Sequence, residues 1–153
     1  LFNYHGKQYL AYRNNENLDF YTVINEELVL VKNIKEDFDH VVTLGDKIYA
    51  TNSNTLKVFV PGDSSSAVIK TFENDIRDID VLNQNQIVVS TYHETHILNV
   101  SDLSIHFTIP HSNVKIINVQ LFALKYNTII KYKTSEEAQL LYQITFNKKL
   151  NNY

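Results

Sequence analysis

The sequence predicts an all-β chain, a β-propeller of four-stranded antiparallel blades, on three observations. Apolar residues rarely recur at helical spacing. Short runs rich in Val, Ile, Thr, Tyr and Phe are broken by Asn, Asp, Ser and Gly, the pattern of strands and turns. The runs also group into units that return about every 40 residues with four strands each, the period of a propeller blade.

In the first unit, "YLAYRNNENLDFYTV" (Tyr9 to Val23) reads as a strand, a polar turn and a second strand, and "LVLVKNI" supplies an outer strand. The second unit opens on "HVVTL" (40–44). "IYATNSNTLKVFV" (Ile48 to Val60) then forms a hairpin around Asn52-Ser53-Asn54, and "AVIKTF" closes the unit. The third unit has "IRDIDVL" (76–82), "IVVSTYHETHILNV" (Ile87 to Val100) and "LSIHFTI". The fourth has "VKIINV" (114–119), "LFALKYNTIIKYKT" (Leu121 to Thr134) and "LLYQITF". Laid under one another, Ala11 falls on Ala50, Leu18 on Leu56, Ile48 on Ile87, and Thr55-Leu56 on Thr95-His96, at spacings of 38 to 40; Leu121 follows Ile87 by 34. A sandwich also places turns at short intervals, but these copies match beyond simple alternation. "TSEEAQ" (134–139) looks like a helix start, yet the alternating "LLYQITF" after it favours a long turn between strands.

The blades are expected at 1–34, 39–73, 75–109 and 113–147. Most propellers are larger, and the chain has no Met even at position 1. The expectation is therefore a fragment of a propeller of about six to eight blades. Its two end faces, which neighbouring blades should cover, are expected to be apolar and adhesive. A ring of four blades, or two copies closing a ring of about eight, are the alternatives.

Composition narrows the function. The 153 residues are 44% hydrophobic and 20% charged, which suits a globular domain. A net charge of −3 gives no general attraction to phosphate backbones or anionic membranes. There is no Cys, so disulfides, zinc–thiolate sites and cysteine nucleophiles are excluded. No apolar run reaches the ~18 residues of a membrane span, and "LFNYHGKQYLAY" is not a signal peptide. The setting expected is intracellular.

Little in the sequence is suited to chemistry. "HETH" places His93 and His96 three apart, so on a strand they would point to opposite faces and could not share an ion. His106 and His111 have no carboxylate between them. Three isolated glycines cannot build a phosphate loop, and no Gly-x-Ser-x-Gly elbow exists. Asp78 and Asp80 flank Ile79 and should share a face, opposite solvent or a cation from an adjacent strand. No enzyme activity, cofactor or metal is expected.

The candidate site is therefore a binding surface. In a propeller with strands A to D per blade, the B–C turns and D–A connections share one end. That end collects Arg13, Phe38, Asp39, His40, Asp75, Arg77, Tyr92, His93 and His111. Exposed aromatic and Arg side chains anchor interfaces because they bury much area and still hydrogen-bond. The partner-binding candidates are Arg13, Phe38, His40, Asp75, Arg77, Tyr92, His93 and His111. The opposite end holds "LGDK" (44–47), "NQNQ" (83–86) and "PGDSSS" (61–66).

"YATNSNTLKVFV" also resembles a WD-repeat blade. Thr51, Asn54, Thr55, Leu56, Val58 and Phe59 fill the family's places, with Phe59 where Trp usually stands and His40 at the family's His. Tyr21 and Asn99 stand at the Trp place in the first and third units, and the chain has no Trp. The resemblance is thus degenerate. It implies that the family's His–Ser/Thr–Asp–Trp network survives only in part, in the second unit. It also implies a eukaryotic scaffold subunit that binds protein partners through the loop end, in a multiprotein complex. The alternatives are a propeller enzyme or small-ligand sensor using a central channel, where Asp78 and Asp80 would be the acids, and a half-propeller completed by another chain.

Overall fold

A computed structural model describes residues 2–4, 6–13, 16–60, 68–125, 128–132 and 140–145. For 2–4, 68, 125 and 140–145 it describes the backbone alone. The described chain is all β. Sixteen strands form four antiparallel sheets, each a simple meander in sequence order. Blade 1 holds β1 (Phe2–Tyr4), β2 (Lys7–Arg13), β3 (Leu18–Ile24) and β4 (Glu27–Ile34). Blade 2 holds β5 (His40–Leu44), β6 (Lys47–Asn52), β7 (Thr55–Phe59) and β8 (Val68–Thr71). Blade 3 holds β9 (Ile76–Asn83), β10 (Gln86–Thr91), β11 (Thr95–Asn99) and β12 (Ile105–Ile109). Blade 4 holds β13 (Val114–Ile117), β14 (Gln120–Lys125), β15 (Thr128–Tyr132) and β16 (Leu140–Thr145). The proposed long turn at 134–139 and the "PGDSSS" segment lie outside the described residues.

The core lies between blades. Leu18 and Phe20 of β3 meet Phe38, Ile48 and Ala50 in a blade 1–blade 2 cluster. Tyr49, Leu56, Val58 and Phe72 meet Ile76, Ile79, Ile87, Val89 and Leu98 between blades 2 and 3. Leu82, Val88, Ile97 and Ile109 meet Val114, Leu121, Ala123, Ile130 and Tyr132 between blades 3 and 4. Successive strand residues point to opposite faces, so Ile48 and Ala50 serve one interface and Tyr49 the other. Burial on both faces explains why the centres of β6 and β10, Ile48–Ala50 and Ile87–Val89, are continuous apolar runs rather than alternating ones.

Strand register corrects two of the sequence correspondences. Arg13↔Leu18, Thr51↔Leu56, Ser90↔Thr95 and Leu124↔Ile129 are equivalent pairs in the four blades. Leu18 with Leu56, Ile48 with Ile87, and Ile87 with Leu121 therefore stand as matched. Ala11, however, corresponds to Tyr49 rather than Ala50, and Thr95 to Leu56 rather than Thr55. Each slip is one residue, which in a strand carries a side chain to the other face. A third difference is at "VKIINV": β13 stops at Ile117, and Asn118 and Val119 turn the chain at φ 50 and 60. Positive φ at both central residues is the geometry of a tight two-residue hairpin, a strained one for a β-branched Val.

Candidate functional site

The B–C turns and D–A connections are bound together at one end. In blade 2, Ser53 N donates to Asp39 Oδ2 at 2.8 Å, and Asn52 Nδ2 to the Asp37 carbonyl at 2.7 Å. On the other side, Ile76 N donates to the Ser53 carbonyl at 2.8 Å, and Asn54 Nδ2 to the Phe72 carbonyl at 2.8 Å. The turn at 53–54 is thus tied to the connections on both sides of its blade. In blade 3, Thr95 Oγ1 donates to the His111 carbonyl at 2.7 Å, and Ser90 Oγ lies 3.0 Å from Thr95 Oγ1.

This framework gathers four of the eight candidates. His40, Asp75, Arg77 and Tyr92 line one cleft of about 390 Å³ with Asp39, Ser53 and Ile76. Arg77 lies over the Tyr92 ring, 5.1 Å from its centroid, and Tyr92 is 58% exposed. Stacking of this kind at an exposed site is worth about 0.5–1 kcal/mol and holds the guanidinium plane in place. Among the described residues no acceptor takes a hydrogen bond from Arg77. Asp39 and Asp75 border the same cleft, so it presents charges of both signs.

Of the other four candidates, Arg13 shares a second cleft with His40 and the remaining three separate. Arg13 Nη1 donates to the Phe38 carbonyl at 2.6 Å and also to the Asp39 carbonyl, fastening blade 1 to the next connection. Phe38 is not the exposed anchor that its loop position suggested. It is 1% exposed and packs edge-to-face on Phe59 at 5.7 Å, because the connection folds it into the blade 1–blade 2 core. His93 is exposed in the blade 3 turn. His111 is half-buried by blade 4, its ring 6.3 Å from that of Tyr132.

The partial WD-type network in blade 2 does not form. Among the described residues Thr51 Oγ1 is buried without a hydrogen-bond partner, so it joins neither His40 nor an acid there. Its blade 3 equivalent, Ser90, is satisfied by Thr95, but the residue opposite Thr51 is Leu56.

His96 points into the blade 2–blade 3 interface, 5.2 Å from the Phe72 ring. Its Nε2 is 3.2 Å from Glu94 Oε1 and its Nδ1 3.0 Å from Thr108 Oγ1. Burial lowers its pKa; Glu94 opposes and Lys70 adds to the shift. Asp78 meets the expected cation: Lys115 Nζ of the adjacent blade is 3.4 Å from Asp78 Oδ2. Among the described residues no group of three or more His, Cys, Asp and Glu is placed to hold a metal. None forms a helix long and apolar enough to cross a membrane.

This architecture defines a β-propeller fold, which solved structures share. The chain matches the N-terminal domain of Nup159 with a TM-score of 0.76 at 14% identity, over 94% of this chain and 43% of that one. It matches Hsv2 of Kluyveromyces lactis at TM-score 0.66 and 15% identity, over 90% of this chain and 46% of that one. The WD40 β-propeller domain of Doa1 gives TM-score 0.57 and 11% identity, over 89% of this chain and 52% of that one. The chain thus spans about half the length of these structures. No protein-family profile and no curated protein sequence matches it.

Proposed function

We propose that this chain is part of a WD-like propeller that binds protein partners and catalyses no reaction, as a scaffold subunit of an intracellular, eukaryotic multiprotein complex. The observation that carries the reading is Arg77, stacked on Tyr92 and donating to no acceptor among the described residues, in a cleft framed by tied-down turns. Sheets fix the loops, and the loops present an Arg–Tyr pair of the type that dominates binding energy at interfaces. One solved relative of the fold is recorded in a complex, with Dbp5 bound to Nup159 and Gle1, which is in keeping with an interaction role. The outer face of blade 1 exposes Tyr12, Val23, Leu28 and Leu30, and suits coverage by further blades or a second chain.

The test uses the chain as bait in an extract of its source, then measures the affinity of each recovered partner for Arg77→Ala and Tyr92→Ala. Each variant should weaken binding by about 1–2 kcal/mol with unchanged thermal unfolding. Unaltered affinity in both would overturn the site.

A further inference from the structure

We propose that the outer, rim-side edge of β4 pairs with the same strand of a second copy of this chain, antiparallel, with Val29 at the two-fold axis. β4 ends the blade 1 sheet, and among the described residues no strand pairs its rim edge. Asn25 and Glu26 make a two-residue turn at φ 51 and 68 that closes on the Ile24↔Glu27 pair. Such a turn bonds its first and last residues to each other, and the bonding direction then alternates along the strand. The backbone groups of Glu27 and Val29 therefore point to β3, and those of Leu28 and Leu30 point to the rim. Further blades stack on sheet faces and not on this edge. Val29 makes the same point, because it shares the face of Phe20 that packs on blade 2 and is still exposed.

Sheet edges are commonly blunted by charge, by proline or by shortness. β8 has four residues with Lys70 among them, and β12 has five and runs into Pro110. β4 has eight, and Leu28–Val31 is aliphatic throughout and exposed. Its one irregularity is the extra residue Val31 between the Tyr21↔Leu30 and Phe20↔Lys32 pairs, which confines the regular edge to Glu27–Leu30. The charges select the occupant. Glu26 and Glu27 lead into the aliphatic run, and Lys32 and Lys35 follow it. A parallel copy sets like charges together, and an antiparallel copy sets unlike charges together. With Val29 opposite its own counterpart, Leu28 falls opposite Leu30 of the second copy, so the rim-directed groups of both find partners. Glu27 then falls beside Lys32 of the second copy. Backbone bonds along the edge supply affinity, and the charges at its two ends supply direction and register. The inference does not depend on the Arg77–Tyr92 site.

The test is sedimentation velocity of the 153-residue chain over a concentration series, with amide exchange read alongside. A monomer–dimer equilibrium is expected, and dimer formation should slow exchange at Leu28 and Leu30 by about tenfold. Leu28→Pro removes a rim-directed donor and no bond to β3, so it should abolish the dimer in a folded chain. Glu27→Lys alone and Lys32→Glu alone should each weaken the dimer. An equimolar mixture of these two variants should regain it, since each charge then meets its opposite. A parent chain that stays monomeric at submillimolar concentration, or a mixture no stronger than its components, would overturn the proposal. So would association that Leu28→Pro leaves intact, the mark of stacked faces. Protection of Leu28 and Leu30 only after a cell extract is added would give the edge to another polypeptide and overturn it as well.

Discussion

Thr51 holds a buried hydroxyl that takes no hydrogen-bond partner among the described residues. Its equivalent in blade 3 has Thr95 opposite, and here Leu56 stands instead. An unmade buried hydrogen bond costs roughly 1–3 kcal/mol. Thr51→Val keeps the shape and removes the polar atom, so it should stabilise the chain by about 1 kcal/mol in urea unfolding. His96 makes a prediction of a different kind. Burial holds its folded pKa below the ordinary value, so the unfolded chain binds a proton that the folded chain refuses. Stability should be fully present above about pH 6.5 and fall as pH drops below it. His96→Gln should flatten that dependence, measured as unfolding midpoints at pH 7 and pH 5.

At the scale of elements, Phe38 ties a connection into the core that joins blades 1 and 2. Phe38→Ala should cost about 3–5 kcal/mol, read as a lowered urea midpoint at constant m-value. The strands were legible because β-rich runs and turn residues alternate along the chain. Leu18, Leu56, Ile87 and Leu121 could be matched because aliphatic residues recur at the central hairpin. Ala11 and Thr95 were set one residue off, since a strand buried on both faces offers no polar alternation to fix parity. The turn at Asn118 and Val119 was hidden because Val is a strand former and a poor residue at positive φ. At the site, residue types at the loop end pointed to His40, Asp75, Arg77 and Tyr92. The burial of Phe38 and the orphaned Thr51 depend on what folds against them from other blades, which no local pattern encodes.

At the scale of the molecule, each interior blade is covered on both faces and each end blade on one. Blade 1 leaves Tyr12, Val23, Leu28 and Leu30 exposed at 54, 60, 62 and 50% on its outer face, and blade 4 leaves Ile117 and Leu124 exposed. Such a surface favours self-association in isolation. Leu28→Lys with Leu30→Lys should shift sedimentation velocity profiles toward monomer while the melting temperature changes little. The register of the central hairpins has a consequence for how the chain can lengthen or shorten. From blade to blade the equivalent positions are 38, 39 and 34 residues apart, yet the central pairing never changes. One residue inserted inside β6 would turn Ile48 and Tyr49 toward each other's walls and undo two interfaces together. Insertions and deletions are therefore absorbed in the turns and connections. There an odd number of residues reverses nothing, and the loop end can diversify without disturbing the stack.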